Sequence, residues 1–278
     1  MNGPQAMAIS FPRPRRALWI VLIAMFALGI FTAFLMTWVP GGHLVFEKLG
    51  CRLDHLLTQP WGLLTSGLLT DPEHWSHLLL SLVGLYFLGA SLEQRWGSWR
   101  FARFLAIAVI VGNLTVLAVS AVVPAEAQGR FHPGFVFGPT AAITAIAIAW
   151  SREYANSTVN IFFVLPVKGR LLFWVTIGFC VLDLIYPTPL HEGVVAPFGG
   201  VIVGLLFGGT PSLARTAWLH LRLAFLRRRA SSVQVEDVLE PKPKRRPRPG
   251  SPPLRVVSGG LEEALKKRTP PKDKRYLN

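Results

Sequence analysis

Phe137-Gly138-Pro139-Thr140-Ala141-Ala142 and Ala196-Pro197-Phe198-Gly199-Gly200-Val201-Ile202-Val203-Gly204 are the two stretches on which the fold turns. Both lie in apolar segments and both are built largely of small residues. Gly200 and Gly204 are one helical turn apart, with Ala196 one turn earlier. A helix here carries a smooth stripe that lets a neighbouring backbone approach closely. Pro139 suits the first turn of a helix, where its missing N–H would have no intrahelical partner anyway. A helix is therefore expected to start near Pro139 with Thr140 in its first turn. If the two helices face each other, positions 140 and 197 come together.

The surrounding sequence sets the class. Of the 278 residues 51% are apolar, and charges are sparse except near the ends, which excludes an ordinary water-soluble domain. Crossing a bilayer as a helix takes roughly 20 apolar residues. Segments 17–39, 104–123 and 171–186 approach that length most clearly, and 77–92, 140–150 and 194–207 are shorter candidates. The last two must extend into their flanks or sit deep in a bundle. Six spans are expected, giving an all-α polytopic membrane protein. Cytoplasmic loops carry excess Lys and Arg. Arg13, Arg15 and Arg16 precede span one; Arg95, Arg100 and Arg103 fall between spans two and three; Arg152, Lys168 and Arg170 fall between four and five. The opposite side holds only Lys48, Arg52 and Arg130, so both termini are placed in the cytoplasm. The first apolar stretch is longer than a signal core and ends Thr37-Trp38-Val39-Pro40, which reads as a retained anchor. The two cysteines, Cys51 and Cys180, give no disulfide framework.

The ordered motifs resemble the rhomboid family of intramembrane serine proteases across about 59–208. In that family Gly-x-Ser-Gly opens one membrane helix and Ala-His-x-x-Gly-x-x-x-Gly lies on another. Thr140 stands at the serine position and Pro197 at the histidine position. Gln59-Pro60-Trp61-Gly62 is similar to the family's entry into span two, after the loop 41–71, which is too irregular to cross the bilayer. The His-x-x-x-Asn pair that helps hold the oxyanion is matched by His77 and Ser81, and Gly138 is a further oxyanion-like position. Glu93 and Arg95 match a structural turn at the cytoplasmic end of span two, where an ion pair held in protein can fix helix orientation. The resemblance implies a six-helix bundle that opens laterally to other membrane helices.

The chemistry of that dyad does not survive in the sequence. A hydroxyl is a weak nucleophile until an adjacent base takes its proton, a contribution of about 10²–10⁴-fold. Proline cannot accept a proton. Threonine adds a methyl beside the oxygen, Thr144 stands where a tyrosine often supports the histidine, and Ser81 replaces the asparagine. Thr140 can instead hydrogen-bond its own helix. His132 and His191 are read as loop histidines. His74 and His77 lack a second ligand cluster, so neither a metal nor another cofactor is expected. Asp183 is an acid within a predicted span, and such acids invite functional suspicion. The reading is a rhomboid-like pseudoprotease that binds or retains transmembrane clients without cutting them. The rivals are a divergent endopeptidase using Thr140 and, more weakly, a transporter subunit, for which no broken-helix repeat is visible.

Four regions follow: a cytoplasmic segment 1–16, a membrane domain 17–209, a basic amphipathic interfacial helix 210–230, and a basic tail 231–278 expected to be disordered. After residue 210 there are 17 basic and 6 acidic residues, which favours anionic lipid. No aromatic platform or fold supports specific nucleic-acid binding. With no organelle signal, a bacterial plasma membrane is the default location.

Overall fold

A computed structural model of the chain describes residues 13–52, 54–123, 131, 134–161, 165–186 and 193–231. The helices are α1 (Arg16–Trp38), α2 (His43–Leu49), α3 (Gly62–Thr65), α4 (Trp75–Trp96), α5 (Ser98–Val122), α6 (Thr140–Glu153), α7 (Gly169–Ile185), α8 (Ala196–Phe207) and α9 (Leu213–Ser231). A 3-10 turn, Ser66–Leu68, follows α3. Two short antiparallel ladders qualify the all-helical expectation. β1 (Cys51–Arg52) pairs with β2 (Phe135–Val136), and β3 (Thr158–Ile161) pairs with β4 (Leu165–Lys168). The chain divides into two units, Met1–Ala224 and Phe225–Asn278; the bundle lies in the first, and 225–231 is the described part of the second. The 231–278 tail reading lies outside the described residues apart from Ser231.

Helices α1, α4 and α5 are long and apolar enough to cross a membrane. The remaining expected spans are α6, α7 and α8, at 14, 17 and 12 residues. At 1.5 Å per residue α6 and α8 reach only about 21 and 18 Å, short of a hydrocarbon core of about 30 Å. Their position explains how short helices persist. Ten of the fourteen residues of α6 are buried, and α4, α5, α7 and α8 all pack on it. The outer helix α1 buries one stripe, Leu18, Leu22, Met25, Gly29 and Thr32. Its other faces expose Trp19, Ile20, Ile23, Phe26 and Ile30. Apolar side chains turned outward around a thin buried seam are what lipid as solvent permits.

Polar pins set the depth of these helices. Helix α4 ends at Gly97, whose φ of 83° lies in the left-handed region that glycine enters without Cβ strain, and α5 begins at the next residue. One turn earlier, Glu93 is fully buried. Its carboxylate accepts the N–H of Arg15 at 2.7 Å and of Ala17 at 2.9 Å, and the Ser98 hydroxyl at 2.7 Å. It thus serves the orphan donors at the start of α1 and sits beside the N-terminus of α5, where helix dipoles favour negative charge. At this turn Glu93 joins α1 to α5, and Arg95 pairs with Glu153 at the end of α6 and lies over the Tyr154 ring.

Cys51 and Cys180 are both free and buried. Burial alone pushes the Cys51 thiol up to about 11. The folded protein should therefore resist iodoacetamide at Cys51 at pH 8, with labelling appearing on unfolding, as peptide mass spectrometry would record. Glu93→Ala leaves three donors without their acceptor, at about 1–3 kcal/mol for each that stays dry. A loss of about 2–4 kcal/mol is expected in detergent unfolding, and a smaller loss for Glu93→Gln, which keeps an acceptor oxygen.

Candidate functional site

Helices α6 and α8 run parallel in a constant register. A Cβ built on Gly200 would strike the Ala141 carbonyl, and one on Gly204 would lie 2.7 Å from Ile148 Cβ and 2.9 Å from the Ala145 carbonyl oxygen. One on Gly208 would lie 2.8 Å from Ala149 Cα. Glycines every fourth residue on one helix thus meet alanines every fourth residue on the other. At the start of α8 the Ala196 carbonyl oxygen lies 3.3 Å from a Cβ built on Gly112 of α5, and a Cβ built on Gly199 would lie 2.6 Å from Gly112 Cα. Small residues from three helices converge at the ends where α6 and α8 begin.

The turn before α6 is fixed from outside the helices. Gly138 adopts φ 113°, and its N–H donates to the Ser66 carbonyl at 2.9 Å. The 3-10 turn that holds Ser66 is tied in turn to α5. The Asn113 side chain donates to the Leu63 carbonyl at 2.9 Å and to the Ser66 hydroxyl at 2.8 Å, and Asn113 is buried. The β1–β2 ladder, Cys51 opposite Val136, joins the 41–71 loop to the same turn. Phe46, Phe135 and Phe137 pack ring against ring beside it. Sequence reasoning missed Asn113 and Ser66; an asparagine within an otherwise apolar helix was the signal that could have found them.

Thr140 is the first residue of α6, half-buried, and Pro197 is buried in the first turn of α8. Pro197 offers neither a proton acceptor nor an N–H, and α8 contains no histidine. His77 lies in the first turn of α4, where its Nδ1 accepts the Asp71 N–H at 3.0 Å. That bond places the ring proton on Nε2 in the neutral form and occupies the lone pair on Nδ1. Ser81 is buried one turn further along α4. The Thr144 hydroxyl bonds the Cys180 thiol of α7. His74 Nδ1 lies 2.7 Å from Asp71 Oδ2. His132 and His191 lie outside the described residues. Among the described residues no group of three His, Cys, Asp or Glu side chains could hold a metal ion.

A helical bundle with a buried glycine–alanine seam and a Gly-Pro-Thr turn at the start of α6 is consistent with the class of helical membrane proteins. A family model described as the rhomboid domain matches residues 57–212. The chain belongs to the rhomboid family, as a degenerate member. It is also similar to Derlin-1.2 of Zea mays, 29% identical over 119 residues, which cover 43% of this chain and 42% of that protein. The chain thus spans less than half the length of that relative.

The seam can be tested directly. Gly200→Ala forces Cβ onto a backbone carbonyl and should lower the thermal midpoint in detergent by several degrees, with more loss for Gly204→Val. A Cβ built on Gly178 of α7 would meet nothing within 4 Å outside its own helix turn, so Gly178→Ala should leave the midpoint unchanged or raise it through helix propensity.

Proposed function

We propose that this protein is a rhomboid-family pseudoprotease that binds or retains transmembrane client proteins without cleaving them. The observation that carries this reading is Pro197 in the opening turn of α8, beside a glycine–alanine seam that is packed to backbone contact. Proton transfer from the Thr140 hydroxyl has no acceptor at the position from which the family draws one. The Gly138 N–H, an oxyanion-like group, is bonded to the Ser66 carbonyl, and His77 is held through Nδ1. Residues of the former active site have become residues of structure.

Six spans with both termini in the cytoplasm are part of the proposal. It is supported by arginines at one end of the bundle: Arg95, Arg100, Arg103 and Arg152 near the ends of α4, α5 and α6. A bacterial plasma membrane is the setting proposed. Ile202 and Leu206 of α8 expose their side chains and offer a client helix an apolar face beside the seam. The competing reading, a divergent endopeptidase with Thr140 as nucleophile, is favoured by the hydroxyl that position 140 retains.

Purified protein reconstituted with a panel of single-span substrates separates the two. An active rhomboid serves as the positive control. No cleavage above background is expected, and Thr140→Ala should match the parent protein. A photo-crosslinker at Ile202 should capture a subset of the same substrates. Cleavage lost in Thr140→Ala would establish the endopeptidase instead.

A further inference from the structure

Helix α9 differs from every other helix in the bundle. Its sequence, LARTAWLHLRLAFLRRRAS, contains five arginines and no acid. Its apolar side chains are not covered: Leu213, Trp218, Leu219, Leu221 and Leu223 are all exposed, Leu221 to 71%. Arg215 and Arg222 are seven residues apart and share one edge. Trp218 and Leu221 form an apolar ridge on one side of that edge, and Leu219 and Leu223 form another on the opposite side.

The depth at which α9 leaves the bundle is set by hydrogen bonds. Arg152 reaches the carbonyls of Leu205 and Gly208 at the end of α8. Arg100 of α5 donates to the Gly209 carbonyl at 3.0 Å. The Thr210 hydroxyl donates to Glu153 of α6 at 2.9 Å. Helix α9 therefore starts level with the arginine-bearing ends of α5 and α6. At that level arginine stacks on tryptophan four residues away: Arg100 lies 4.7 Å from the Trp96 ring centroid and Arg103 5.2 Å from that of Trp99. Arg222 over Trp218 on α9, at 5.2 Å, repeats the pair. Tryptophan is enriched at the membrane–water interface, where its ring is apolar and its N–H is wet.

We propose that α9 is an interfacial anchor that lies in the headgroup layer and takes anionic phospholipid headgroups along the Arg215–Arg222 edge. A partner helix would cover one ridge and leave the other in water. Lipid covers both, because a helix sunk to its backbone is flanked by acyl chains while its arginines reach the phosphates. The absence of any acid on α9 makes an anionic surface the complementary one. This inference rests on the membrane placement of the bundle and is independent of whether Thr140 retains chemistry.

The test uses the full chain in vesicles of phosphatidylcholine alone or mixed with phosphatidylglycerol. A nitroxide is placed at Leu219→Cys, Leu221→Cys or Leu223→Cys, with the unsubstituted protein as the control for labelling at the buried native cysteines. In the mixed vesicles all three labels should show lipid-like oxygen accessibility and exclusion of a soluble nickel complex. Replacing Arg215 and Arg222 by Gln should lower the ratio of inserted to free label about 30-fold, and replacement of both by Lys should preserve it. The thermal midpoint of the bundle serves as the folding control. Water-like accessibility in both vesicle types would overturn the proposal. So would insertion that ignores lipid charge, or protection that grows with protein density and so reports self-association.

Discussion

Backbone contact between α6 and α8 is the constraint on which the rest of the bundle depends. Lipid tails are as apolar as leucine, so burying a leucine between two membrane helices gains little over leaving it in lipid. Association there relies on close packing and on polar bonds. Gly200, Gly204 and Gly208 against Ala141, Ile148 and Ala149 bring two helices to a separation that larger side chains forbid. A helix of 12 residues and one of 14 could not hold themselves upright in a bilayer. Surrounded by α4, α5 and α7, they do not need to.

Polar groups complete what the seam begins. Glu93 sits at the C-terminal end of its own helix, an unfavourable place for an anion, and is compensated by donors from the starts of two others. Asn113 does the same in miniature for the 3-10 turn at Ser66, which in turn holds Gly138. Apart from Ser98–Glu93, these bonds link segments far apart in the chain, 47 residues for Ser66–Asn113 and 78 for Arg15–Glu93. A dry interior makes such bonds costly to break because no water replaces the lost partner.

The packing frame and the reactive groups are separable for a physical reason. Packing needs small residues at helical spacing, whatever the chemistry beside them. Catalysis needs an acceptor at one atom; under the proposed reading proline at 197 takes that place without disturbing the seam one turn further on. A proline in the opening turn of α8 is a good helix start, so the change that removes the base is also locally compatible with the fold.

Much of this was legible in the chain. The apolar segments, the Gly-Pro helix start at 138–139, the four-residue spacing of small residues and the proline at 197 are all local features, fixed by residue type and period. Helix α9 was legible as basic and apolar, but its two ridges were not, because exposure depends on what the bundle covers. The family resemblance put Glu93 and Arg95 in one structural turn. Tertiary structure gave them different partners, because a buried carboxylate goes where donors converge: the N–H groups of Arg15 and Ala17 at the start of α1 and the Ser98 hydroxyl of α5. The same holds for Gly199 against Gly112 and for Gly138 against Ser66. Sequence by itself determined the membrane class, the helix starts and the residue types at 140 and 197, which are properties of single segments. Which helix faces which, and which polar groups meet, was decided only in three dimensions, where long-range hydrogen bonds and backbone contacts are made.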